Sequence, residues 1–204
     1  MNTRILCLLA LLPLLAGCVT GGHYSDDAVV EAARYRSSEP PRMTLYTMIN
    51  NRSGKGAHSS LLINASETVI FDPAGSFYAD VVPEQDDVLF GISPQIEEAY
   101  KGAHARETFH VVRQHVPLTA EQAETAYRLA LANGPVAGAF CANATARLVQ
   151  QIPGFEGIRT TFYPVKLQEE FAKLEGVVTD KYYEYDSADL QEGLRKGNEA
   201  LNAD

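Results

Sequence analysis

The sequence predicts an α+β fold in which an antiparallel sheet packs against two or three helices. Three observations support this prediction. Between residues 43 and 75, runs rich in β-forming residues alternate with short polar turns, as they do in hairpins. A further strand pattern, TFHVVRQHV, covers residues 108–116 and ends at Pro117. Two amphipathic helix patterns follow this strand.

The first half of the mature chain is predicted to be mostly strand. Residues 43–50 (MTLYTMIN) form a strand that the polar sequence NRSGKG ends. Residues 58–63 and 68–75 form a hairpin around the turn sequence NASE, and DPAG ends its second strand. Residues 76–107 have a mixed pattern, with one helix predicted around residues 96–102.

The second half is predicted to be mostly helical. A capping box of Thr119 and Gln122 begins one helix, which the sequence NGP ends. A second helix covers residues 141–152 and presents an apolar stripe. A strand at residues 160–165 precedes a third helix with the sequence KLQEEFAKL. Residues 177–204 are polar, acidic and contain several tyrosines, which favours a solvated tail.

Residues 1–17 have the pattern of an export signal. Arg4 precedes an apolar run at residues 5–16, and that run is shorter than the about 20 residues a spanning helix needs. The ending LLAGC resembles the lipobox of bacterial lipoproteins, in which the cysteine is lipidated and becomes the first residue after cleavage. The resemblance implies lipidation of Cys18. Because Val19 rather than aspartate follows, it also implies the periplasmic face of a Gram-negative outer membrane. An ordinary secretory signal is the alternative.

The length without the signal suits one domain. We therefore divide the mature chain into a lipidated tether (18–41, with a short helix at 26–36), a domain (42–176) and the tail (177–204). Loss of Arg4 changes the formal net charge from −9 to about −10. This charge argues against nucleic acid and against electrostatic binding to anionic lipid, which leaves the lipid anchor as the membrane determinant.

The mature chain keeps one free thiol. Cys7 is lost with the signal and Cys18 carries lipid, so Cys141 has no disulfide partner in its own chain. Cys141 lies at the first turn of a predicted helix, where unpaired backbone N–H groups and the helix dipole stabilise a thiolate. This position is typical of a cysteine nucleophile.

The predicted hairpin supplies a base and a residue to orient it. His58 opens the first strand, and Asp72 follows the second. With a three-residue turn at residues 64–66, positions 58 and 72 lie opposite each other. A two-residue turn would place them on different faces, so the pairing of these side chains depends on the register.

The order of these residues is similar to that in circularly permuted NlpC-like members of the papain-fold cysteine hydrolases and acyltransferases. The motifs are GAHSSLLI, VIFDPAG and FCANATARLV, and the resemblance covers about residues 43–167. It implies a permuted papain-like fold with Cys141 as nucleophile, His58 as general base and Asp72 as third residue. It also implies an oxyanion hole that includes the Cys141 N–H. The Ala-Asn pair after the cysteine departs from the bulkier polar motif of many members, which leaves the substrate and the third residue open.

The activity expected from this resemblance and location is hydrolysis of an amide bond in peptidoglycan peptides through a thioacyl-enzyme. Acyl transfer from a lipid or ester is the nearest alternative. The same three residues also have purely structural interpretations: Cys141 as a small buried hydrophobe, His58 as a hydrogen-bonded strand histidine and Asp72 as a turn residue. These would fit a non-catalytic binding or scaffold lipoprotein of the envelope.

No metal or cofactor site is predicted. The sequences HExxH, CxxC, GxSxG and the phosphate-loop motif are absent. His110 and His115 lie on one predicted strand at an odd spacing, so they point to opposite faces.

Overall fold

The structure, a computed structural model, describes residues 24–203. The strands are β1 (Arg42–Asn50), β2 (Gly56–Asn64), β3 (Thr68–Phe71), β4 (Glu84–Gln85), β5 (Val88–Leu89), β6 (Phe109–Pro117) and β7 (Val178–Tyr182). The helices are α1 (Asp27–Ala33), α2 (Pro94–His104), α3 (Ala120–Ala132), α4 (Cys141–Val149), α5 (Pro164–Phe171) and α6 (Leu190–Leu201). The α+β class and the antiparallel sheet are confirmed. The described residues contain six helices, and α2 to α6 cover the sheet, where two or three covering helices were predicted.

Within residues 24–203, one sheet of seven antiparallel strands organises the fold, in the order β4-β5-β3-β2-β1-β6-β7. Helices α3, α4 and α5 pack on one face, against Leu45 and Leu61 among others. Helices α2 and α6 cover the other face, where Tyr46 and Leu62 are buried. Because both faces are covered, the inner residues of β1 are buried without the alternation of a half-exposed antiparallel strand.

The β2–β3 hairpin has a register that matches neither of the two turns considered from the sequence. Asn64 pairs with Thr68, and the last pair is Leu61 with Phe71. Continuing this register places Ser60, not His58, opposite Asp72. The opposition of positions 58 and 72 that a three-residue turn at residues 64–66 would give is therefore displaced by two residues. An even shift keeps side chains on the same face, so His58 and Asp72 still share a face.

Two predictions about the helical half have opposite outcomes. The capping box is confirmed: the Gln122 N–H donates to Thr119 Oγ1, and the Thr119 N–H donates to the Gln122 side chain. The strand predicted at residues 160–165 is wrong, because Pro164 begins α5. Proline lacks an N–H group and has a fixed φ that suits the first turn of a helix, so it ends the apparent strand.

The segment after Gly176 belongs to the domain, in contrast to the solvated tail that was predicted. Strand β7 pairs with β6 along the edge of the sheet. Helix α6 packs on α2 and buries Leu194. Although the segment is polar overall, α6 is amphipathic: Leu190, Leu194 and Leu201 fall on the side of the helix that meets the core.

The described part of the predicted tether also packs against the domain. Val30 of α1 is buried in the core, and Tyr24 forms a β-bridge with Gln85. The predicted signal and Cys18 lie outside the described residues. Within residues 24–203, none of the helices has the length and apolar character required to cross a bilayer.

Candidate active site

Cys141 begins α4 at a point where the sheet leaves one side of β2 open. Strand β3 ends opposite Leu61, so the preceding residues of β2 have no strand neighbour on that side. There the Ser59 N–H donates to the Cys141 sulfur, as does the Ala142 N–H at the helix start. Cys141 as a residue is 6% exposed. The open side of the strand lets a cysteine from a helix on one face reach a histidine that belongs to the other face.

His58 links the thiol to a carboxylate. Its Nε2 is hydrogen-bonded to Asp72 Oδ1 at 2.7 Å. The Cys141 sulfur is also within hydrogen-bonding reach of this ring, and because Nε2 faces Asp72, Nδ1 is the nitrogen available to it. The pairing of β1 with β2 shifts between Met48 and Ile49, which leaves an extra residue in β2 beside His58. The structure thus brings the three predicted residues into one hydrogen-bonded chain.

Asp72 is held from several sides. The carboxylate is 3% exposed, and the Tyr100 hydroxyl donates to its Oδ1 at 2.7 Å. The same hydroxyl is hydrogen-bonded to Ser60 Oγ at 2.7 Å. The Gly75 N–H donates to the Asp72 carbonyl at 2.9 Å, so Asp72 is also a turn residue. A Cβ on Gly75 would lie 1.9 Å from Asp72 Oδ2, so glycine leaves the space that the carboxylate occupies.

The electrostatics favour an ion pair. Burial raises the pKa of the Cys141 thiol, but the hydrogen bond and charge of His58 and the backbone N–H groups bring that pKa below its ordinary value. Burial lowers the pKa of His58, and the attraction of Asp72 outweighs it, so the net shift is upward. Burial raises the pKa of Asp72, but His58 brings it below its ordinary value. These directions favour a thiolate and an imidazolium beside an ionised carboxylate.

Three further residues near the site were not predicted. Tyr100 and His104 are one turn apart on α2, and the His104 ring stacks near His58 with centroids 6.0 Å apart. The buried Asp87 accepts from the N–H of Ala74 at 3.2 Å and of Val136 at 2.6 Å. It thereby ties the turn after Asp72 to the loop before α4. Tyr100 and His104 are four positions apart in the sequence, so helical spacing could have indicated that they share a face. No sequence signal indicates Asp87.

A cavity of about 250 Å³ adjoins His58. Its lining is mostly apolar, and the C-terminal segment supplies part of one wall through Ala188 and Leu190. His104 also lines it. Among the described residues, His58, Asp72 and His104 form a group able to hold a metal ion, because their ligand atoms lie within 4.8 Å of one another.

Fold and site together define an α+β protein with a buried cysteine–histidine–aspartate hydrogen-bond chain. No protein-family model matches the sequence, and comparisons with curated proteins and with solved structures find no significant match.

Proposed function

We propose that this chain is a membrane-anchored cysteine hydrolase of the cell envelope, with a permuted papain-like (NlpC-like) fold, that cleaves an amide bond in peptidoglycan peptides. One observation carries the proposal: the His58 ring is hydrogen-bonded to the buried Asp72 carboxylate and lies within hydrogen-bonding reach of the Cys141 sulfur. Nucleophile, base and orienting group are in reach of one another, as covalent catalysis requires. The sequence resemblance supports the order of histidine before cysteine.

The proposed reaction has two steps. The Cys141 thiolate attacks the amide carbonyl carbon and forms a C–S bond, while the Cys141 N–H donates to the developing oxyanion. The His58 imidazolium gives its Nδ1 proton to the leaving amine as the C–N bond breaks, which leaves a thioacyl-enzyme. His58 then takes a proton from water, and the water oxygen attacks the thioester. The C–S bond breaks, and the acid product and the thiolate are released.

Lipid on Cys18 would keep this site close to a membrane. The chain contacts the domain from Tyr24 onward, through its bridge to Gln85. The intervening residues can therefore span no more than about 20 Å even when fully extended. Envelope polymers and lipids at that surface are the substrates within reach, which favours peptidoglycan peptides on the periplasmic side of the outer membrane.

An acyltransferase is the second candidate. The cavity beside His58 is lined mainly by apolar side chains, which suits an acyl chain better than a charged peptide. In that case an amine or hydroxyl acceptor, rather than water, attacks the thioacyl-enzyme.

Alkylation of the thiol tests the catalytic proposal. The mature protein, purified in detergent micelles, is treated with iodoacetamide near neutral pH, and labelling of Cys141 is followed by peptide mass spectrometry. We expect labelling faster than in the urea-unfolded protein, because only the thiolate reacts. His58→Ala should slow it about tenfold or more, since one pKa unit changes the thiolate fraction tenfold below the pKa.

His110→Gln is the matched control. The imidazole that it removes lies outside this hydrogen-bond chain and is hydrogen-bonded to Asn51. Equally slow labelling in the wild type and in His58→Ala would overturn the catalytic proposal and favour a scaffold. Two substrates, muropeptides and short acyl esters, then separate the two candidate activities, with Cys141→Ala as the inactive comparison for each. Release of a new amine supports the amidase. Capture of an acyl group by hydroxylamine supports the transferase.

A further inference from the structure

Three potential metal ligands meet beside the cavity. The ligand atoms of His58, Asp72 and His104 all lie within 4.8 Å of one another. Two imidazoles and one carboxylate are a donor set that zinc accepts, and open zinc sites use three protein ligands. Tetrahedral binding at zinc–nitrogen distances of about 2.0–2.1 Å places ligand atoms roughly 3.4 Å apart. His58 Nε2 and Asp72 Oδ1, which are 2.7 Å apart, must therefore separate slightly, and any pair that is farther apart must approach.

His104 is oriented as metal-binding histidines usually are. Its Nδ1 donates to the Tyr100 carbonyl at 2.8 Å, which leaves Nε2 as the nitrogen with a free lone pair. A backbone carbonyl that fixes the other ring nitrogen is a common outer partner of zinc-binding histidines. The proposed hydrolytic steps make no use of this residue.

The charged groups around the cluster include several carboxylates and one guanidinium, that of Arg106, which lines the cavity. Glu84 and Asp87 both interact electrostatically with Asp72, so several carboxylates lie near the cluster. The cavity of about 250 Å³ is lined by both histidines and gives an ion a route to them. The chain as a whole is also acidic, with a formal net charge of −9.

We propose that His58, Asp72 and His104 form a zinc site whose occupation switches the cysteine centre off. The ion replaces the proton between His58 Nε2 and Asp72 Oδ1, and that proton is released to water. The carboxylate then no longer orients and charges the imidazole for Cys141. Zinc binding itself does not depend on the proposed function, whereas the inhibitory consequence rests on it.

Cys141→Ser separates this site from coordination by the thiolate. The full mature protein in detergent micelles is stripped with EDTA, dialysed and titrated with zinc chloride by calorimetry. We expect the Cys141→Ser variant to bind one zinc ion per chain. His104→Gln in that background should weaken binding at least about tenfold, because even the loss of an outer partner of a metal ligand costs about 10- to 100-fold in affinity. His110→Gln, which removes a histidine outside the cluster, should leave the affinity within about twofold.

Zinc should also slow iodoacetamide labelling of wild-type Cys141, and EDTA should restore it. The proposed zinc site is refuted if Cys141→Ser does not bind zinc, or if a folded His104→Gln variant binds zinc with unchanged affinity. If His104→Gln does not fold, as judged by circular dichroism, His104→Phe replaces it as a ring of similar shape without ligand atoms. A catalytically inert protein that binds zinc in this pattern would refute the proposed function and leave the zinc site standing.

Discussion

Replacing Asp72 by asparagine should slow alkylation of Cys141 roughly 10- to 150-fold near neutral pH. The carboxylate is 3% exposed and accepts the His58 hydrogen bond at 2.7 Å. A hydrogen bond to a charged group contributes about 1.5–3 kcal/mol, and about 1.4 kcal/mol changes a population tenfold. Asparagine keeps the shape but removes the charge that stabilises the imidazolium. The thiolate fraction at a given pH therefore falls.

The pH dependence of the labelling rate shows in which direction the substitution shifts the pKa of Cys141. In the wild type the pKa of Cys141 lies below its ordinary value and that of His58 above it, so labelling stays fast below the usual thiol range. In Asp72→Asn the midpoint should move to higher pH. Glu121→Gln, which removes one exposed carboxylate from α3, is the matched control. A folded Asp72→Asn variant with a labelling rate and midpoint within about twofold of wild type would refute the role assigned to Asp72.

Stability should change with pH in the same pair of proteins. Because the pKa of Asp72 is lower in the folded state than in the unfolded chain, its ionisation stabilises the fold above the unfolded-state pKa. That contribution is lost as the pH falls through the folded-state pKa. The difference in free energy of unfolding between wild type and Asp72→Asn, measured by urea titration, should therefore shrink in acid.

Two further substitution and truncation predictions follow from the packing. Gly75→Ala should lower the rate of Cys141 labelling about tenfold or more, because the added Cβ would lie 1.9 Å from Asp72 Oδ2. Gly138→Ala is the control: its added Cβ would have no atom within 4 Å, so this variant should be labelled at the wild-type rate. Equal rates in the two variants would contradict the close approach at Gly75. Truncation after Gly176 removes β7 and α6 and should abolish cooperative thermal unfolding, because it exposes the apolar face that α6 covers. A truncated protein that unfolds at the wild-type temperature would show the segment to be dispensable.

Local patterns predicted many of the elements well. The capping box of Thr119 and Gln122 and the strand pattern before Pro117 depend on neighbouring residues alone, and both elements are present. Local patterns failed where distant contacts decide the conformation. Residues 160–165 have strand-like composition but no strand neighbour, and Pro164 begins a helix instead. Strand β7 forms because β6 offers an open edge that composition does not reveal.

The sequence by itself determined the chemical types in the candidate site: one thiol in a helix-starting position, one histidine at a strand start, and one aspartate before a turn. Their order also supports the resemblance to a permuted cysteine hydrolase. Only the tertiary structure decided that Cys141, His58 and Asp72 meet. That meeting requires an even shift in the hairpin register and a β3 short enough to leave the Ser59 N–H open to the sulfur. It likewise decided that His104 joins them, because contacts between distant segments depend on how α2 packs on the sheet, which no local pattern encodes.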